Sequence, residues 1–167
     1  MANYPMLSLS AAPSDGVNEV QRVTKGGVIS GGTWDLNLSP AGGPALTLIP
    51  WDVTAAQLQA LVDPTLALAI TVSGGPIASA AFNFTFSKNL GGKNLSELTA
   101  SATNLTGAGH ALAVSTTTGG VTGSFRGAQP GCILQDTTNG ILYKNKGTHS
   151  TPKWEVPAAE PVWVLTP

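Results

Sequence analysis

Charge is what this sequence has least of. Only 10 % of its 167 residues are Asp, Glu, Lys or Arg, well under the usual quarter. Nine acids against eight bases leave a net charge of −1. That excludes the basic footprint that holds nucleic acid or an anionic membrane surface. Weak self-repulsion also suits a surface made to pack on other protein. There is one cysteine, Cys132, so no intrachain disulfide framework can form. No apolar run approaches the roughly 20 residues that cross a membrane. No basic segment followed by an apolar core reads as a signal peptide. The expectation is a protein made in a cytoplasm, soluble until it assembles.

The residues of catalysis are equally sparse. His110 and His149 lie far apart, and neither has metal-type spacing to another His, Cys or acid. No two acids are spaced as an acid/base couple. Cys132 falls in an expected strand and reads as a small buried side chain, with no histidine placed to activate it. Lys25-Gly26-Gly27 and Gly91-Gly92-Lys93 lack the P-loop pattern and lead into no helix. The expected protein is not an enzyme and has no cofactor and no metal.

What is present is glycine, threonine, serine and alanine, which suit short strands joined by turns. The length fits one ordinary domain with a small appendage. Residues 1–16 read as an extended arm whose Tyr4, Met6, Leu7 and Leu9 would lie on a neighbouring surface. A β-rich domain follows over 17–117. Its first run holds Val17, Val20 and Val23. Trp34, Leu36 and Leu38 alternate with polar residues and pair with Leu46 to Trp51 in a hairpin of about 32–51. The one helix is expected near 54–63. Thr54 and Gln57 form its capping box and Val53 with Leu58 its staple. Leu58, Leu61 and Val62 form its apolar face, and Pro64 ends it. Strands resume from Leu66 to Val72. Phe82, Phe84 and Phe86 are the clearest period-2 pattern in the chain. Two weaker strands lie around Leu98–Ala102 and Ala111–Val114. Residues 118–130 read as a Gly/Thr-rich linker, 131–156 as a β-hairpin module and 157–167 as a Pro-rich tail. In that tail Trp163, Val164 and Leu165 are candidate docking residues. The fold class is mainly β: a β-sandwich-like domain with one short α-helix, plus a small C-terminal hairpin module.

The most informative stretch runs from Pro130 to Trp154. Two apolar runs, Cys132-Ile133-Leu134 and Ile141-Leu142-Tyr143, flank Asp136-Thr137-Thr138-Asn139-Gly140. Asn-Gly between apolar runs signals a hairpin, because tight turns need positive φ. Asp136 should bond the turn amides, Gly147 allow a second bend, and Trp154 fold back as an apolar plug. An ordinary hairpin would satisfy all of this.

The spelling adds to it. Gly131, Asp136-Thr137-Thr138-Asn139-Gly140, Leu142-Tyr143, Asn145, Gly147-Thr148, Pro152 and Trp154 resemble a module of tailed-bacteriophage structural proteins. That pattern reads G-x-x-x-x-D-T-T-N-G-x-L-Y-x-N-x-G-T…P-x-W and occurs in head decoration, head fibre and tail fibre proteins. The resemblance covers about residues 127–156, and Lys146 is a departure from it. Residues 17–117 resemble a second module, found in phage virion proteins and large bacterial surface proteins. Glu19-Val20-Gln21, Gly32-Thr33-Trp34, Ile49-Pro50-Trp51-Asp52 through Leu61, Gly74-Gly75-Pro76 and Phe82–Phe86 carry it. Trp34 and Trp51 stand where that pattern has other aromatics.

These resemblances imply a non-enzymatic virion protein, a head decoration (cement) protein above all. It would bind the major capsid protein on the outer surface of the capsid, as a homotrimer. The alternative is a receptor- or glycan-binding fibre or tail component in which Trp51, Trp154 or Trp163 stacks on sugars.

Overall fold

The computed structural model describes residues 7–66 and 69–157. Tyr4, Met6, Trp163, Val164 and Leu165 lie outside the described residues. The strands are β1 (Leu7–Leu9), β2 (Val20–Gly26), β3 (Gly31–Asn37) and β4 (Ala45–Pro50), followed by helix α1 (Ala55–Leu66). Then come β5 (Ile70–Gly74), β6 (Phe82–Phe86), β7 (Thr99–Ser101), β8 (Leu105–Thr106) and β9 (Ala111–Thr118). The last three are β10 (Ile133–Asp136), β11 (Ile141–Asn145) and β12 (Trp154–Glu155). The fold is mainly β, with a β-sandwich-like domain and one helix, as the period-2 patterns require.

The chain divides into two compact units. One is Val17–Val121; the other combines Met1–Gly16 with Thr122–Pro167. The larger unit is therefore an insertion in the smaller. Its two ends run side by side: Val17 and Val121 exchange backbone hydrogen bonds of 2.9 and 3.0 Å.

In the larger unit one sheet has the order β5-β6-β2-β9 and a second the order β4-β3-β7, with β8 also paired to β3. Alternation does the sorting. Phe82, Phe84 and Phe86 point inward from β6, and Trp34, Leu36 and Leu38 do so from β3 and its end. Trp34 stacks across the sheets on Phe82, with ring centroids 5.9 Å apart and planes at 21°. Helix α1 adds Leu58 and Val62 to the same core. Its start is local chemistry. The Thr54 amide donates to Gln57 Oε1 (2.9 Å), and the Gln57 amide donates back to Thr54 Oγ1 (3.3 Å). Val53 and Leu58 are both buried beside that cap.

The helix ends later than Pro64 suggests. It continues to Leu66, with Pro64 inside the last turn. Gln59 supplies the reason. Its Nε2 donates to Asp63 and to the Ile70 carbonyl (2.9 Å), and its Oε1 accepts the Val72 amide (2.6 Å). One side chain thus ties the final turns to the edge of β5. The strand expected from Leu66 accordingly starts at Ile70. Leu61 is also corrected: at 45 % exposure it lies off the buried face.

The smaller unit is a single sheet of order β1-β10-β11-β12. Here the expected arm is revised. Leu7–Leu9 form a strand parallel to β10, with Leu7 opposite Leu134 and Leu9 opposite Asp136. Leu7 and Leu9 pack on the unit's own core of Ala128, Cys132, Leu134 and Trp154. The 118–130 linker is revised too. Thr118 ends β9, and Phe125 and Ala128 pack with Trp154. The hairpin 131–156 is completed by these two flanking pieces.

Candidate functional site

The Asp136 loop joins the two central strands of the smaller unit. Strands β10 and β11 pair up to Asp136 opposite Ile141, leaving a loop of Thr137 to Gly140. Gly140 has φ 69° and donates its amide to the Asp136 carbonyl at 2.8 Å. Positive φ falls on glycine alone, so the turn is a four-residue loop and not the two-residue Asn-Gly type, which needs it twice. The buried Asp136 carboxylate organises the rest. Oδ1 accepts the amides of Thr138 (3.0 Å) and Asn139 (3.1 Å), and Oδ2 accepts Asn139 Nδ2 (2.8 Å). The Asn139 side-chain bond, with help from the two amides, holds the Asp136 carboxyl below its ordinary value against the opposing effect of burial.

The same loop holds β1. The Thr137 amide and hydroxyl both donate to the Leu9 carbonyl (2.8 and 3.2 Å), and Thr138 Oγ1 donates to the Ser10 carbonyl (2.7 Å). The D-T-T-N-G spelling thus has an internal use for each side chain: Asp136 and Asn139 close the loop, and the threonines grip the N-terminal strand.

Asn145 is the second hub, and it is buried. Its Nδ2 donates to the carbonyls of Ala128 (2.9 Å) and Gln129 (3.3 Å). Its Oδ1 accepts the amides of Gly147 (2.9 Å) and Lys153 (3.0 Å). Gly147 is needed for closeness: a Cβ there would sit 2.4 Å from the Thr151 carbonyl oxygen and 2.5 Å from the Lys153 nitrogen. Trp154 is 7 % exposed. Its indole Nε1 donates to the Ser124 carbonyl (3.0 Å) and its amide to Asp15 Oδ1 (2.7 Å). Tyr143 packs half-buried on the same cluster. Trp154 is therefore a plug with a satisfied N–H and offers no ring face for a sugar. Trp51 is half-buried against the larger core.

Sequence reasoning passed over the buried polar pair of the larger unit. Glu19 and Gln21 are both 0 % exposed. Gln21 Nε2 donates to Glu19 Oε1 and to the Ser96 carbonyl (3.1 Å). Glu19 Oε2 accepts the Leu95 amide and Gln21 Oε1 the Leu98 amide, each at 2.7 Å. The pair pins the irregular segment before β7. Its signal was available: Glu19, Gln21 and Val23 share one face at period 2, and that face is buried.

Reactive groups are dispersed. His110 Nδ1 lies 2.8 Å from the Gly107 carbonyl oxygen. Cys132 is a buried free thiol. Among the described residues no three of His, Cys, Asp and Glu gather as a metal site. An apolar cleft in the smaller unit is lined by Leu7, Phe125, Ala128 and Cys132. Another, in the larger unit, is lined by Pro50, Asp52, Val53, Gln57 and Leu61. Neither combines a nucleophile with a base. The most heavily bonded polar side chains, Asp136, Asn145 and the Glu19–Gln21 pair, each fix a loop or irregular segment. In comparisons with known proteins, no protein-family model and no curated protein matches this chain.

Proposed function

We propose that the chain is a non-enzymatic structural protein of a tailed-bacteriophage virion, a decoration protein on the outer surface of the head. The observation that carries this reading is the 127–156 spelling, whose defining residues also form one wired unit. Asp136 and Asn145 fix backbone, Asn139 holds the Asp136 carboxylate, and Gly147 permits a close backbone approach. A fixed backbone shape is what a contact module needs. Low charge suits a surface that assembles on protein. Ile141, Leu142 and Val156 are exposed apolar side chains of the smaller unit and add contact area. The partner is the major capsid protein, and a homotrimer would multiply weak contacts across capsomer junctions. The candidate contact residues Trp163, Val164 and Leu165 belong to this proposal.

The test is copy number per purified particle, by quantitative mass spectrometry against the major capsid protein. Near-stoichiometric abundance is the expected result. A handful of copies would move the protein to a tail or fibre, and absence from particles would end the virion reading. Deleting residues 158–167 should weaken particle binding and leave both units folded.

A further inference from the structure

Asn139-Gly140 is the only Asn-Gly pair in the chain. Asparagine before glycine is open to spontaneous deamidation, because glycine has no side chain to hinder its own nitrogen. The Gly140 backbone nitrogen attacks Cγ of Asn139. A C–N bond forms to give a tetrahedral adduct, its Cγ–Nδ2 bond breaks, and ammonia leaves with the proton given up by the Gly140 nitrogen, which closes a five-membered succinimide. Water then opens the ring to aspartate or isoaspartate. Water is the only co-reactant, and residues 137–140 are exposed to it.

In the folded chain Asp136 holds both reacting groups. The Gly140 nitrogen donates to the Asp136 carbonyl at 2.8 Å, and Asn139 Nδ2 donates to the Asp136 carboxylate at 2.8 Å. Ring closure requires both bonds to open. The product is costly to the loop. It replaces an amide donor by a carboxylate facing the Asp136 carboxylate, so an attraction becomes a like-charge repulsion. Isoaspartate also inserts a methylene into the main chain. Thr137 and Thr138 of this loop carry the bonds to the Leu9 and Ser10 carbonyls.

We propose that Asn139 is a deamidation site restrained by Asp136, and that its conversion unlatches strand Leu7–Leu9 from the smaller unit. The loop is then a chemical clock on the attachment of the N-terminal strand.

The full chain is incubated in one mildly alkaline buffer, folded and in urea, and Asn139 is followed by peptide mapping and mass spectrometry. Conversion should be faster in urea by about tenfold or more, the rate effect of losing two ordinary hydrogen bonds. Gly140→Ala, assayed in urea so that folding is irrelevant, should slow it. The deamidated folded fraction is then separated by ion exchange. Its amides at residues 7–9 should exchange hydrogen faster by about tenfold or more, with those of Phe82–Phe86 unchanged. No conversion at Asn139 in urea would overturn the site. Equal rates folded and unfolded would overturn the restraint. Unchanged exchange at residues 7–9 would overturn the latch.

Discussion

The two units hold themselves together by different means. The larger buries an aromatic and aliphatic core: Trp34, Phe82, Phe84 and Phe86 with Leu36, Leu58 and Ile77. Among its described residues the smaller buries Ala128, Cys132, Leu134 and Trp154 as its apolar cluster, with Pro152 and the polar Asp136, Asn145 and Ser150 also buried. A small unit removes less apolar surface from water to offset the entropy of ordering its chain. Side-chain bonds to its loops make up part of the difference. The contrast teaches where each is fragile: the larger to lost volume, the smaller to a lost acceptor or donor.

Three substitutions break or sharpen that contrast. Phe84→Ala leaves a void in the larger core and should destabilise that unit by about 4 kcal/mol. Hydrogen exchange resolved by residue should show lost protection in β2 and β6 with β10 and β11 retained; equal loss in both would mean the units unfold as one. Asn145→Ala leaves the Ala128 and Gln129 carbonyls and the Gly147 and Lys153 amides without their partner. It should cost the smaller unit about 3 kcal/mol, read as a lower urea midpoint of β10–β11 protection while β6 is unaffected. A loss as small as that of an exposed asparagine would sink the polar-hub account. Trp34→Phe should change stability least, by within about 1 kcal/mol. Among the described residues the buried Trp34 indole N–H finds no hydrogen-bond partner, so losing ring volume and removing an unsatisfied donor oppose each other. A midpoint drop like that of Phe84→Ala would show that the volume dominates.

Legibility in the sequence followed sequence distance. The capping box of Thr54 and Gln57 spans three residues, and its geometry depends on little else. Phe82, Phe84 and Phe86 declare a strand and its buried face by alternation alone. Asp136 reaches amides two and three residues ahead, so the loop could be read from its spelling. What misled was the prior attached to a single residue. Pro64 ends most helices, but Gln59 holds this one to β5 beyond it. Leu61 matches the helical period yet lies at the margin of the contact.

Other features had no local signal. Nothing in residues 7–9 announces a partner more than 120 positions away, yet Leu7 pairs with Leu134. Asn145 looks like one more polar residue after a strand until Ala128, Gln129, Gly147 and Lys153 are brought around it. Trp154 could be read as a plug, whereas its amide bond to Asp15 could not.

By itself the sequence determined the β-rich class, the hairpins, the start of the helix and the closure of the Asp136 loop. Each depends on backbone preference and on side chains within a few residues of one another. Only the tertiary structure decided that the N-terminal strand completes the C-terminal sheet, that the larger unit is an insertion, and which polar side chains become buried hubs. Those depend on which distant segments meet, and a buried donor or acceptor finds its partner only after they have met.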